Sequence, residues 1–211
     1  LSKYYSLTFD RKNLRGLVSI PYSVTYKSGL EYVFEEIDWL YSEIKKILPL
    51  ILIKHNTSFL IMGKKVNVIY EKSKSHKIIF KKNIITIKSE KKDHKIILKK
   101  WIKEQLLRES RKYIEMISLK LGQNIRKIKL SNSFNYWGSC NSKGDIYINW
   151  RLVFAPTKVL KYIIVHELCH LKEFNHTKDF WKLVQKLCPN YKDQIVWLNE
   201  NDNYLYKIRF D

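Results

Sequence analysis

Apolar and polar positions alternate in short pieces over residues 1–26, with Leu7, Phe9, Val18 and Ile20 marking strand-like segments. The period then lengthens. Val33, Phe34, Ile37, Leu40, Tyr41, Ile44 and Leu48 recur at helical spacing, which predicts one helix over Tyr32–Leu48. Glu31, Glu35 and Glu36 suit its N-terminal end, and Pro49 stops it. Alternation returns in Ser58–Met62 and Val66–Tyr70 around GKK, and in Lys77–Phe80 and Ile84–Lys88 around KKN. These pairs read as hairpins of a small antiparallel sheet.

A long helix follows from Asp93 to Leu121, with Asp93 as its cap and Gly122 closing it in a left-handed conformation. Ile97, Trp101, Leu107, Ile114, Ile117 and Leu121 mark its buried side. The basic stripe of Lys95, Lys99, Lys103, Arg108, Arg111 and Lys112 reads as a solvated face. Strands are expected around Ile125–Ser131, Phe134–Trp137 and Asp145–Trp150, the last two separated by the turn-rich CNSKGD. Pro156 suits the first turn of a helix running to about Phe174, and Thr177 can cap another over Lys178–Leu187. The whole is an α+β pattern: a β-rich region with one helix over 1–92, then a helix, small antiparallel sheet and helix over 93–211.

Of the 211 residues, 45% are hydrophobic and 14% aromatic, enough for a packed core. The longest apolar run, ILPLILI at Ile47–Ile53, holds seven residues and a proline, whereas a membrane-spanning helix needs about 20. No charged-then-apolar leader opens the sequence, and residue 1 is Leu. Three irregularly spaced cysteines, Cys140, Cys169 and Cys188, make no disulfide framework and fit a reducing cytoplasm. The net charge of +20 suits a polyanionic partner, nucleotide or nucleic acid. Arginine, the preferred reader of phosphates and bases, is scarce among the 40 basic residues, so biased composition accounts for the charge equally well.

The concentrated chemistry lies in VHELCHLKEFNH at 165–176. His166 and His170 are four apart, so their imidazoles leave one face of a helix and can grip one zinc ion. Glu167, rotated by one position, reaches a water on that metal instead of the metal itself. His176 cannot continue that face, so the chain must turn, and Asn175 tolerates the left-handed conformation expected of such a turn. Three protein ligands leave the fourth position open, which marks a catalytic zinc. The spacing matches the metzincin pattern HExxHxxGxxH, but Glu173 replaces the glycine, and Met62 and Met116 both lie upstream, where neither can make a Met-turn.

YWGSCNSKGDIYINWRLVFAP at 136–156, VHELCHLKEFNH, FW at 180–181 and PNYKDQIVWL at 189–198 together resemble the YgjP-like metallopeptidases, a bacterial group related in its zinc helix to the SprT and WLM proteases. The resemblance implies a zincin-like domain with Zn2+ on His166, His170 and His176, Glu167 as the catalytic carboxylate, and a peptide or protein substrate. It departs at Tyr136, where the family usually has arginine. Gly138 and Ser139 are small enough for close backbone approach, and Asp145–Trp150 is the candidate edge strand beside an extended peptide. Trp137 and Trp150 serve equally as core. Tyr162, Tyr191 and Arg151 are the candidates to stabilise an oxyanion. Cys140 is a candidate inhibitory ligand. Two other functions share the sequence: a metal-dependent pyrophosphatase acting on UTP, since members of this group are so described, and a DNA-associated SprT-like protease or binding protein, since the N-terminal region is basic. No glycine loop of the Walker type is present to hold phosphates.

Overall fold

The computed structural model describes residues 3–90 and 93–210. The chain divides into two compact units, Leu1–Ile51 and Leu52–Asp211. The boundary expected near residue 92 lies at residues outside those described.

In the first unit, β1 (Ser6–Asp10) and β2 (Arg15–Ser19) pair antiparallel. Asp10 closes their turn by accepting from the Lys12 and Asn13 backbone N–H groups, the Asn13 side chain and Arg15. The single helix expected over Tyr32–Leu48 is two, α1 (Tyr26–Glu35) and α2 (Ile37–Ile47). Glu36 breaks it by leaving helical geometry at φ −95°, ψ 6°. The earlier start comes from Thr25, whose hydroxyl accepts from Ser28 N–H as an N-cap.

Strand β3 (Ile51–Ile53) straddles the boundary, and the second unit continues through β4 (Thr57–Ile61), β5 (Lys64–Lys72), β6 (Lys77–Lys81) and β7 (Ile84–Ser89). Both expected hairpins form. Their turns use left-handed residues, Met62 and Gly63 in one and Lys82 and Asn83 in the other. The sheet they build is mixed, in the order β4-β5-β7-β6, because β5 and β7 meet in parallel. Val66, Val68, Ile85 and Ile87, with Phe59 of β4, supply its buried face.

Helix α3 (His94–Leu121) packs against this sheet through β7. Asp93 precedes it but makes no side-chain cap; its carboxylate faces His76 instead. Gly122 closes it at φ 63°, as expected. The buried stripe is His94, Leu98, Ile102, Leu106, Ser110, Ile114, Ile117 and Leu121, so Ile97, Trp101 and Leu107 sit on its half-buried shoulder. The apolar arc is wide at this end, and spacing alone does not place its centre. Arg108 and Lys112 on the wet face both pair with Glu109.

A second mixed sheet, ordered β8-β10-β9, follows: β8 (Lys127–Ser131), β9 (Gly138–Cys140) and β10 (Asp145–Asn149). The expected strand at Phe134–Trp137 is irregular and leads into β9. Strand β10 is central, parallel to β8 and antiparallel to β9, which corrects its assignment as the edge. Four of its five residues are buried, as coverage on both faces requires. The edge strand is β9.

A 3-10 turn over Trp150–Phe154 leads to α4 (Thr157–Cys169), α5 (Lys178–Leu187) and α6 (Tyr191–Lys207). The last strand, β11 (Ile208–Phe210), pairs with β3. Thr177 caps α5 by accepting from Phe180 N–H. Among the described residues, no helix is long and apolar enough to cross a membrane, and Cys140, Cys169 and Cys188 are free thiols.

Candidate metal centre

Helix α4 is buried nearly all round, from Val159 to Cys169, so its polar residues emerge where other elements are cut to fit them. His166 and His170 project from one face as the i, i+4 spacing requires. The helix ends at Cys169, well short of Phe174. Leu171 N–H then bonds to Leu168 O, and both Lys172 and Glu173 N–H bond to Cys169 O, tightening the last turn. Asn175 is not among the left-handed residues; the tight bonds at the helix end reverse the chain without one.

The reversal brings the three histidines together. His166 Nε2 lies 3.3 Å from His170 Nε2 and 3.0 Å from His176 Nε2. All three donor atoms fall within 4.8 Å of one another. Phe180, fully buried, packs against all three rings at centroid distances of 5.0, 4.6 and 4.7 Å. Trp181 stacks on His176 from the next position. His170 Nδ1 faces the Glu173 carbonyl at 3.1 Å. A carbonyl only accepts, so the proton belongs on Nδ1 and the Nε2 lone pair points into the triad. Burial, with His170 and His176 nearby, pushes His166 down to about 4, and burial also lowers His170. Both rings are therefore held in the neutral, ligating form at neutral pH.

These residues fit a zinc-type ion. Nitrogen ligands about 2.0–2.1 Å from a tetrahedral metal stand roughly 3.3 Å apart. The two Nε2 pairs that include His166 stand near such distances, and one cation can accept all three lone pairs, whereas a single proton on His166 serves its two neighbours only in part.

Glu167 is 7% exposed, and burial raises its carboxyl to about 7. Its space is made by β9. A Cβ on Gly138 would stand 2.6 Å from both Cγ and Oε1 of Glu167. The close approach expected at WGSC is therefore to the Glu167 carboxylate. A cleft of about 480 Å³ opens beside it, lined by Tyr136, Trp137 and Gly138, by Tyr162, Ile163, His166 and Glu167 of α4, and by Ile195, Leu198, Asn199 and Asp202 of α6.

The remaining candidates separate. Tyr162 lines the cleft, its hydroxyl 3.5 Å from His166 Nδ1. Tyr191 is buried behind it, stacked between Tyr162 and Trp181. Arg151, 4% exposed, lies off the cleft with its guanidinium 4.2 Å over Phe134, 5.0 Å over Trp150 and 5.3 Å over Tyr206. Trp150 is core, bonded to Asn132, whereas Trp137 is cleft wall. Burial, together with Glu167 and Asp145, pushes the Cys140 thiol up to about 12. That keeps it protonated at neutral pH, and the triad groups only the histidines. Sequence reasoning missed the α6 wall, because Ile195, Leu198, Asn199 and Asp202 form no chemical motif.

A family model for the YgjP-like metallopeptidase domain matches residues 3–201. The chain belongs to this family. Membership brings a metallopeptidase domain and implies a metal, for which the three histidines are the candidate ligands. The chain is also 36% identical over 67 residues to a UTP pyrophosphatase of Escherichia coli (strain K12), a match over 30% of this chain and 40% of that protein. It thus spans less than half the length of that curated relative. In a crystal structure, the metallopeptidase zymogen of Pyrococcus abyssi abylysin is similar over 47% of this chain and 95% of its own, at 20% identity and a TM-score of 0.36. The α+β class expected from the sequence holds, with mixed instead of antiparallel sheets.

Proposed function

We propose that this protein is a zinc-dependent peptidase of the HExxH-x5-H type, in which His166, His170 and His176 hold the metal and Glu167 carries the proton. The observation that supports this most is the convergence of three imidazole Nε2 atoms beside a buried carboxylate on the same helix. A zinc ion bound there would supply Lewis acidity, acidifying a water and polarising a carbonyl. Glu167 accepts the proton of the attacking water at its carboxylate and returns it to the leaving nitrogen. Its desolvated site, with a carboxyl raised to about 7, matches a group that must both take and give a proton near neutrality. Phe180 and the Glu173 carbonyl hold the imidazoles in place. Strand β9 pairs with β10 on one side, leaving its other edge to run alongside an extended peptide.

A second reading, hydrolysis of a nucleoside triphosphate, takes its support from the UTP pyrophosphatase relative. One experiment separates the two. The purified chain, wild type and Glu167→Gln, is analysed for metal and incubated with a peptide library and with UTP. We expect about one zinc per chain in both proteins, and peptide cleavage by wild type alone. Metal-free protein after purification in zinc sinks the proposal, and pyrophosphate release without peptide cleavage moves it to the second reading.

A further inference from the structure

The cleft beside Glu167 has an uneven chemistry. One side of it is apolar, formed by Ile163 of α4, Ile195 and Leu198 of α6, and the Tyr136 and Trp137 rings before β9, while Tyr162, His166 and Asn199 give the other side polar groups. Ionisable acids reach it at Glu167 and Asp202. Among the described residues that line it there is no lysine or arginine, in a chain with 40 of them. A triphosphate brings several negative charges and is held by guanidinium, ammonium or backbone N–H cradles. An apolar side chain needs only desolvated walls and room, and about 480 Å³ holds a large one with the adjoining backbone.

We infer that this cleft seats a large apolar side chain, aromatic by preference, of a peptide whose scissile bond lies at Glu167, and that Ile195 and Tyr136 set that preference. The inference rests on the peptidase reading above and names its substrate class. Tyr136, 49% exposed, forms the mouth, and Ile195, half-buried, forms the α6 wall.

The test uses the zinc-loaded full chain and short peptidyl hydroxamates that differ only in the side chain next to the metal-binding group: methyl, benzyl or carboxyethyl. Affinities are read by titration calorimetry, which needs no turnover. The benzyl compound is expected to bind about tenfold or more tighter than the methyl one, with carboxyethyl weakest. Ile195→Lys and Tyr136→Lys should each remove most of the benzyl advantage and favour carboxyethyl. The second variant lies at an exposed position, which guards against misfolding in the first. Equal or absent affinity across the series, or a benzyl preference unchanged in both variants, overturns the inference. A benzyl preference lost in the variants, with no peptide bond cut by wild type, upholds the pocket and defeats the peptidase reading. UTP that is hydrolysed and displaces the benzyl compound overturns both.

Discussion

Two places in the second unit surround nitrogen-rich side chains with aromatic rings, and they do opposite things. Around the triad, Phe180 and Trp181 pack against imidazoles that can shed their protons, and burial drives His166 down to about 4. Around Arg151, the rings of Phe134, Trp150 and Tyr206 pack against a guanidinium that burial lowers only to about 10, so it stays charged. In the first surround, desolvation creates lone pairs aimed at one point. In the second it leaves a fixed cation with no hydrogen-bond acceptor at Nε or Nη1 among the described residues. An aromatic cage therefore does not mark a site by itself. The ionisation that the caged group can reach decides it.

The largest effect should come from His176→Ala, which removes one lone pair from the first surround. Metal affinity should fall at least about a hundredfold, measured by competition with a chromophoric chelator. Retention of tight zinc would mean that the triad is not the ligand set. Gly138→Ala comes next. Its new methyl group cannot coexist with Glu167 in place, so hydrolytic kcat should fall about ten- to a hundredfold with metal content unchanged. Arg151→Met tests the second surround. Zinc content should be unchanged and kcat/KM should stay within about threefold, with stability shifted by no more than about 2 kcal/mol in either direction on denaturant titration. A variant that lost its metal would show that the two surrounds act as one.

The smallest effect concerns Asp145 in β10. Burial pushes its carboxyl up, but hydrogen bonds from Arg126 and Asn141 outweigh this and hold it below the ordinary range. Its stabilisation is therefore complete above the unfolded value of about 3.9 and drains away as pH falls through and below it. The difference in Tm between wild type and Asp145→Asn should be present at pH 7 and close toward pH 2.

The triad was legible in the sequence because its geometry is local: i, i+4 spacing fixes two rings, and a chain reversal brings in the third. The manner of the reversal was not legible. It depends on backbone hydrogen bonds at the end of α4 and not on the backbone freedom of Asn175. Helix α5 was read to the residue, since Thr177 and Pro189 bracket a strongly amphipathic run. The sheets were read as hairpins but not as sheets, because parallel pairing of β5 with β7 and of β8 with β10 is decided between segments that carry no mutual signal. For the same reason β10 was taken for an edge. The fit of Gly138 to Glu167 was half legible: the small residue announced a close approach, and only the fold names the partner.

Helix α3 gives the unit its mechanics. Its 28 residues make a rod roughly 42 Å long. The four-stranded sheet is mounted on it through β7, and α4 rests on it elsewhere. A second fastening joins the same parts: Met62 N–H bonds to Val153 O, and the Thr157 hydroxyl bonds to Met62 O. With two fastenings the sheet cannot swivel freely about the rod. One residue inserted midway along α3 would twist its two halves by about 100° and set one fastening against the other.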